Sequence, residues 1–178
     1  MNGGIYPDEY ASYISLNLTR FNRITKTFSP SQAFIDLASE VKKKSHWIII
    51  TEPWCGDAAQ SVPTLLRLIE VIPKATYSLE LRDAGSLINQ YLTQGSKSIP
   101  KLIVRNEQHE DLFVWGARPI PLSVLFNEGK QRGLEKPALH EMLHAWYAKD
   151  GGRSLEHEIM LNLQPYLNTG NEAMIRPL

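Results

Sequence analysis

Residues 51–63 read TEPWCGDAAQSVP, and they hold Cys55, the only cysteine of the 178-residue chain. The apolar run HWIII at 46–50 leads into this stretch, and a helical pattern leads away from it. A β-branched run read as a buried strand, followed at once by a helix, puts the thiol at a helix N-terminus. There roughly half a positive charge favours the thiolate. Asp57, two residues on, pushes the other way, because a carboxylate that stabilises the helix start repels a thiolate. The sequence leaves the balance of these two effects open.

Outward from this stretch the pattern is α/β. A strand is predicted at 47–51, then a helix at 57–72 with Val62, Leu65, Leu66 and Ile69 inward and Pro63 inside it. The next strand is 76–81, and a strand–helix–strand crossover of this length means parallel pairing. A shorter helix is expected at 84–93, a loop at 95–98 and a strand at 101–105. The polar turn NEQHED then returns 112–115 as an antiparallel hairpin. Upstream, Ser29-Pro30-Ser31 opens a helix with Ala33, Phe34, Leu37, Ala38 and Val41 on one face. Lys42, Lys43 and Lys44 are placed in its last turn, where cations complement the carbonyl end. Tyr6, Tyr10, Tyr13, Ile14 and Leu18, at spacings of three and four, predict a packed helical arm within 1–28.

Beyond Gly116 the chain reads as helical to its end. Leu122, Leu125 and Phe126 form a first segment, closed near Gly129 or Gly133. Leu139, Met142, Leu143, Trp146 and Tyr147 form a second after Pro137. Gly151-Gly152 breaks it, and Leu155, Ile159, Leu163 and Leu167 form a third. The expected organisation is an N-terminal arm at 1–29, a domain at 30–132 and a helical extension at 133–178 packed on that domain.

Composition sets the outer bounds. Apolar residues are 43% of the chain, enough for a core, and 19 Lys plus Arg balance 19 Asp plus Glu. No global field therefore draws the chain to nucleic acid or to an anionic membrane. No run approaches the roughly 18 apolar residues of a membrane span. The opening MNGGIYPDEY lacks the basic and apolar regions of a signal peptide, so a cytoplasmic setting is expected. A single cysteine excludes an internal disulfide.

Four features in this order resemble the thioredoxin superfamily. Trp54-Cys55-Gly56 follows a strand and opens a helix. Pro63 stands eight residues past the cysteine, where the family carries a helix-kinking proline. Ser98-Ile99-Pro100 precedes a strand and matches the family's cis-proline loop, and Trp115-Gly116 closes the hairpin. The stretches WCGDAAQSVP, LRDAG, SIPKLIV and WGARP look like a bacterial thioredoxin-like subgroup whose usual motif is WCGDC. The resemblance covers roughly residues 30–132, and the later segment WYAKDGGRS is also similar to that subgroup. It implies a four-stranded mixed sheet flanked by helices, with strands ordered 76–81, 47–51, 101–105, 111–115. It further implies that Cys55 is the nucleophile, that Trp54, Gly56 and Asp57 surround it, and that Ile99 and Pro100 present backbone to a partner's extended segment.

Two departures bear on chemistry. Ala58 stands where the family has its second cysteine, and Ile49 where it keeps a buried acid. Without a resolving thiol, a buried carboxylate there would only cost desolvation energy. A mixed disulfide on Cys55 would then need an external thiol to resolve it. The implied partners are a protein or peptide bearing a thiol or disulfide and a low-molecular-weight thiol, and no cofactor is expected. A different reading is a non-catalytic peptide-binding module with a vestigial cysteine. Trp115 and Arg118 either border the site or serve the folding of the WGARP turn.

Residues 140–144 read HEMLH, a match to H-E-x-x-H, which on a helix sets His140 and His144 on one face with Glu141 as a potential general base. The metzincin extension fails, because Tyr147 occupies its glycine position. Met142, Leu143 and Trp146 already give this helix a reason to exist, so no metal site is assigned.

Overall fold

In the SHWIIIT segment, Trp47, Ile48, Ile49 and Ile50 are all buried, which suits a strand covered on both faces. In the computed structural model, which describes residue 6 and residues 10–167, this strand is β1 (Ser45–Thr51). It pairs in parallel with β2 (Ala75–Leu81), Ile49 opposite Leu79, and antiparallel with β3 (Lys101–Arg105), Ile49 opposite Leu102. β4 (Asp111–Gly116) completes the hairpin, with a register shift at Val104/Arg105. The order β2-β1-β3-β4 is the expected one, and the fold is α/β with a four-stranded mixed sheet flanked by helices.

Six α-helices pack around this sheet among the described residues: α1 (Ala11–Thr27), α2 (Gln32–Ser39), α3 (Gly56–Ile69), α4 (Ile120–Gln131), α5 (Lys136–Asp150) and α6 (Arg153–Leu167). No helix there is long and apolar enough to cross a membrane. The predicted arm at 1–29 and extension at 133–178 fall partly outside the described residues, at 1–5, 7–9 and 168–178.

One core joins Phe34 of α2, Leu65 and Leu68 of α3, the β1 and β3 side chains, and Leu155, Ile159 and Leu163 of α6. A smaller cluster holds Leu122 of α4 with Leu143 and Tyr147 of α5. Two carboxylates, the buried Glu156 and the half-buried Glu158, tie α6 to both ends of the fold. Glu156 accepts from the Ser31 N–H (2.5 Å) and from Arg153 (2.6 Å), which anchors the start of α2. Glu158 accepts from Trp115 Nε1 and from the Ile120 N–H, both at 2.6 Å, which anchors the start of α4.

Three sequence expectations need correction. The helix expected at 84–93 is only a 3-10 turn, Leu87–Gln90, whose Ile88 reaches the core. The chain then folds back on itself through mutual backbone bonds between Thr93 and Ser96, which ends any helix. Helix α2 stops at Ser39, so Lys42, Lys43 and Lys44 lie beyond its last turn. Lys42 bonds the Ser39 carbonyl and Lys44 pairs with Glu107. Val41 is buried from the linker rather than from the helix. The arm is helical, but Tyr13 and Leu18 face outward. The inward stripe is Ile14, Asn17, Phe21, Ile24 and Phe28, because Asn17 donates to the Pro53 carbonyl (3.0 Å) and so sets the helix's rotation on the site.

Candidate functional site

Cys55 is the N-cap of α3. Its Sγ accepts from the Ala58 N–H at 3.4 Å and donates to the Ile99 carbonyl at 3.5 Å, while its own N–H donates to the Glu52 carbonyl. Only 9% of the residue is exposed. Burial first, and the Asp57 carboxylate second, push the thiol up to about 11. The N–H groups of Ala58 and Asp57 and the Arg118 guanidinium pull the other way and do not prevail. The opposed influences read at sequence level are thus decided by desolvation, and the neutral thiol is the resting form.

Asp57 is already fully engaged. Arg118 reaches it with Nε at 2.9 Å and Nη2 at 2.7 Å, and the Tyr147 hydroxyl donates to it at 3.0 Å. Through this carboxylate the start of α3 is tied to the turn after β4 and to α5. Gly56 faces α5 as well: a Cβ there would stand 3.1 Å from His144 Cε1. Gln60 Nε2 approaches His144 Nδ1 at 3.3 Å, and burial holds this imidazole down at about 4, so it is neutral at pH 7. The HEMLH segment therefore packs one histidine on the cysteine turn. Among the described residues no group of three or more His, Cys, Asp or Glu could hold a metal ion.

Across from α3, the Ile99–Pro100 peptide bond is cis and both residues are buried. Gly116 (φ +113°) packs against that loop, where a Cβ would lie 2.3 Å from the Pro100 carbonyl oxygen. No side chain fits, so the glycine is required by this close approach. Trp54 rests tilted against Tyr10 at 5.6 Å and carries the Arg82 guanidinium 4.6 Å from its ring centroid.

Trp54, Cys55, Asp57 and Ile99 line one groove of about 580 Å³ with Arg82, Lys97, Arg118 and Lys130. Gly56 and Pro100 do not line it. Ile49 is an enclosed apolar residue and offers the sulfur no acid. Glu52 is buried nearby, but its carboxylate accepts from the Tyr6 hydroxyl (2.8 Å) and the Asp83 N–H (3.0 Å). Burial and this carboxylate push the Tyr6 phenol up to about 12.

Sequence reasoning did not assign Arg82, Lys97, Lys130, Tyr147 or Glu52 to this region. Arg82 was visible only as part of LRDAG, and Tyr147 only as an apolar position of α5. Arg118 turns out to be a groove residue, whereas Trp115 is buried in the fold on Glu158.

A family model described as Thioredoxin matches residues 4–130. Among solved structures, a protein of unknown function from Pseudomonas aeruginosa superposes with a TM-score of 0.65 at 13% identity, over 87% of this chain and 90% of that one. An HIV epitope-scaffold gives a TM-score of 0.62, also at 13% identity, over 87% and 91%. At such identities the likeness concerns the fold alone. No curated protein matches the chain.

Proposed function

The chain belongs to the thioredoxin family, and from that premise we propose that it is a single-cysteine member taking part in thiol–disulfide exchange through Cys55, with an external thiol completing each cycle. The observation that carries this reading is the Cys55 thiol at the start of α3, 3.5 Å from the Ile99 carbonyl and bordering an open groove. In the first step the Cys55 thiolate attacks a partner disulfide R–S–S–R′, forms Cys55–S–S–R and releases R′S⁻. In the second an external thiolate attacks the R sulfur, and Cys55 leaves as a thiolate that takes a proton from water. Ala58 cannot perform this second step.

A thiol near 11 is ionised in about one molecule in ten thousand at pH 7, so attack is slow. The same high value makes Cys55 a poor leaving group, so a mixed disulfide once formed is long-lived. The protein then holds a thiol partner covalently rather than turning over disulfides as a dithiol reductase does. A protein or peptide thiol presented in extended form suits the groove. A bacterial cytoplasm is the setting proposed here, and it supplies the external thiol.

Incubation of the native protein with 2-hydroxyethyl disulfide, followed by intact mass, tests the reading. One adduct on Cys55 is expected, reversed by dithiothreitol and absent in Cys55→Ala, with little insulin reduction. If only the unfolded chain forms the adduct, exchange is ruled out. The low exposure of the thiol favours a second reading, a non-catalytic peptide-binding module, and that result would install it.

A further inference from the structure

The sheet ends on one side at β2, and among the described residues no strand lies beyond it. Natural edge strands are blunted by brevity, a proline, a bulge or an outward lysine. Strand β2 has none of these, since ATYSLEL runs seven residues in unbroken register with β1. The direction of its backbone groups follows from its two ends. The Ser45 N–H donates to the Lys74 carbonyl and the Arg82 N–H to the Thr51 carbonyl, so the even-numbered residues address β1. Tyr77, Leu79 and Leu81 therefore aim both N–H and C=O at the open edge. Their side chains share one face of the sheet and are 51%, 52% and 40% exposed. Glu80, the one charged residue of the strand, is on the other face.

An edge with exposed apolar side chains and outward backbone groups accepts an added strand. We infer that this strand is β2 of a second copy of the chain, paired antiparallel about Leu79 so that the two sheets become one. An antiparallel ladder sets outward-bonding residues opposite one another. Centred on Leu79, it places Leu79 against Leu79 and Tyr77 against Leu81 in both directions, with about six new backbone bonds. Charge and length select this register. Centred one residue earlier, Lys74 would oppose Arg82 of the second copy, and one residue later Glu80 would oppose its own counterpart. Centred on Tyr77 or on Leu81, one of the three apolar side chains would run past the end of the facing strand. In the Leu79 register no like charges stand directly opposite, and Glu80 faces Ser78. The zero formal net charge of the chain adds no overall repulsion between copies. Cys55 follows the C-terminal end of β1, which is parallel to β2, so the joined sheet carries the two thiols at opposite ends. The pairing does not depend on the exchange reading.

Sedimentation velocity of the full chain over a concentration series is the test. The wild type should pass from one chain mass to two as concentration rises. Leu79→Lys sets two ammonium groups opposite each other, and Leu79→Pro removes an N–H that points away from β1. Each should weaken dimerisation by more than about tenfold. Leu18→Lys, at a comparably exposed apolar position on α1, should leave it unchanged. A wild type that is monomeric at every concentration overturns the inference and leaves the edge to a strand of a different protein. A dimer that survives both Leu79 variants, or is lost equally in Leu18→Lys, overturns it too. Circular dichroism checks that the Leu79 variants fold. Should they not, the Ser78→Cys, Glu80→Cys double variant in a Cys55→Ala background decides. In this register residue 78 and residue 80 of the second copy form a non-hydrogen-bonded pair, with Cα atoms about 4.5 Å apart and within disulfide reach. Air oxidation with copper phenanthroline should then give a dimer on a non-reducing gel, reversed by dithiothreitol. A chain that stays monomeric on that gel overturns the pairing.

Discussion

At the scale of single residues, the thiol shows how enclosure overrides a helix terminus. The partial charge of α3 and two N–H groups favour the thiolate of Cys55, but they act on an atom from which water is nearly excluded. This has a consequence for stability with a definite sign. Below about pH 9 both folded and unfolded chains hold the proton. Above it the unfolded chain ionises first, so stability falls until the folded thiol ionises at about 11. A shift of two units corresponds to a loss of about 3 kcal/mol. Urea unfolding between pH 8 and pH 11 should show a steeper decline in the wild type than in Cys55→Ala, in which Tyr6, Tyr91, Tyr147 and Tyr166, whose folded phenols are also held protonated, still lower stability. Parallel slopes for the two proteins would mean that the thiol is more open than the structure shows.

At the scale of elements, the site is made where α3, the loop before β3 and the end of β4 converge. The contact that sets this convergence is backbone on backbone, Gly116 against the Pro100 carbonyl. Gly116→Ala adds a Cβ to a left-handed position with 2.3 Å of room. It should cost more than about 2 kcal/mol, since either the turn or the loop must move. Gly133, also left-handed but with nothing within 4 Å of where a Cβ would stand, is the control. Gly133→Ala should lose only the conformational part, about 1 kcal/mol. Denaturant midpoints of the two variants provide the comparison, and a loss at Gly116 no larger than at Gly133 would refute the close-approach argument. Helix α5 is the other element of note, since His144 and Tyr147 place it directly on the cysteine turn.

At the scale of the molecule, the last two helices serve different parts of the fold. Helix α6 supplies Leu155, Ile159 and Leu163 to the main core, and its Glu156 and Glu158 satisfy the starts of α2 and α4. Helix α5 covers the site. Removing residues 134–178 strips apolar cover worth roughly 1.5–3 kcal/mol per large side chain and takes the carboxylate acceptors from the Ser31 N–H and Trp115 Nε1. The truncated chain should aggregate or melt far below the full protein. A soluble 1–133 fragment with an unchanged melting temperature would show α5 and α6 to be dispensable. Loss of the Tyr147 bond to Asp57 should also change Cys55 alkylation in any fragment that stays folded, since that carboxylate faces the thiol.

The sequence by itself determined the strands and the three terminal helices, because these follow from local signals, while the order of the strands came from the family resemblance. The HWIII run needs burial on both sides, the 57–72 crossover imposes parallel pairing, and Gly151-Gly152 stops a helix wherever it lies. It also marked Cys55 with Trp54, and Ile99-Pro100, through short motifs. The tertiary structure alone decided what those motifs meet. Whether 84–93 coils depended on the turn that Thr93 and Ser96 make, and which face of α1 turns inward depended on the Pro53 carbonyl waiting for Asn17. The ionisation of Cys55 depends on its burial and on Asp57, and the cationic lining of its groove on the convergence of Arg82, Lys97, Arg118 and Lys130, which lie far apart in the chain. Periodicity reports which side of an element is apolar. Burial and Coulomb interaction depend on which elements meet, and only the packed fold sets that.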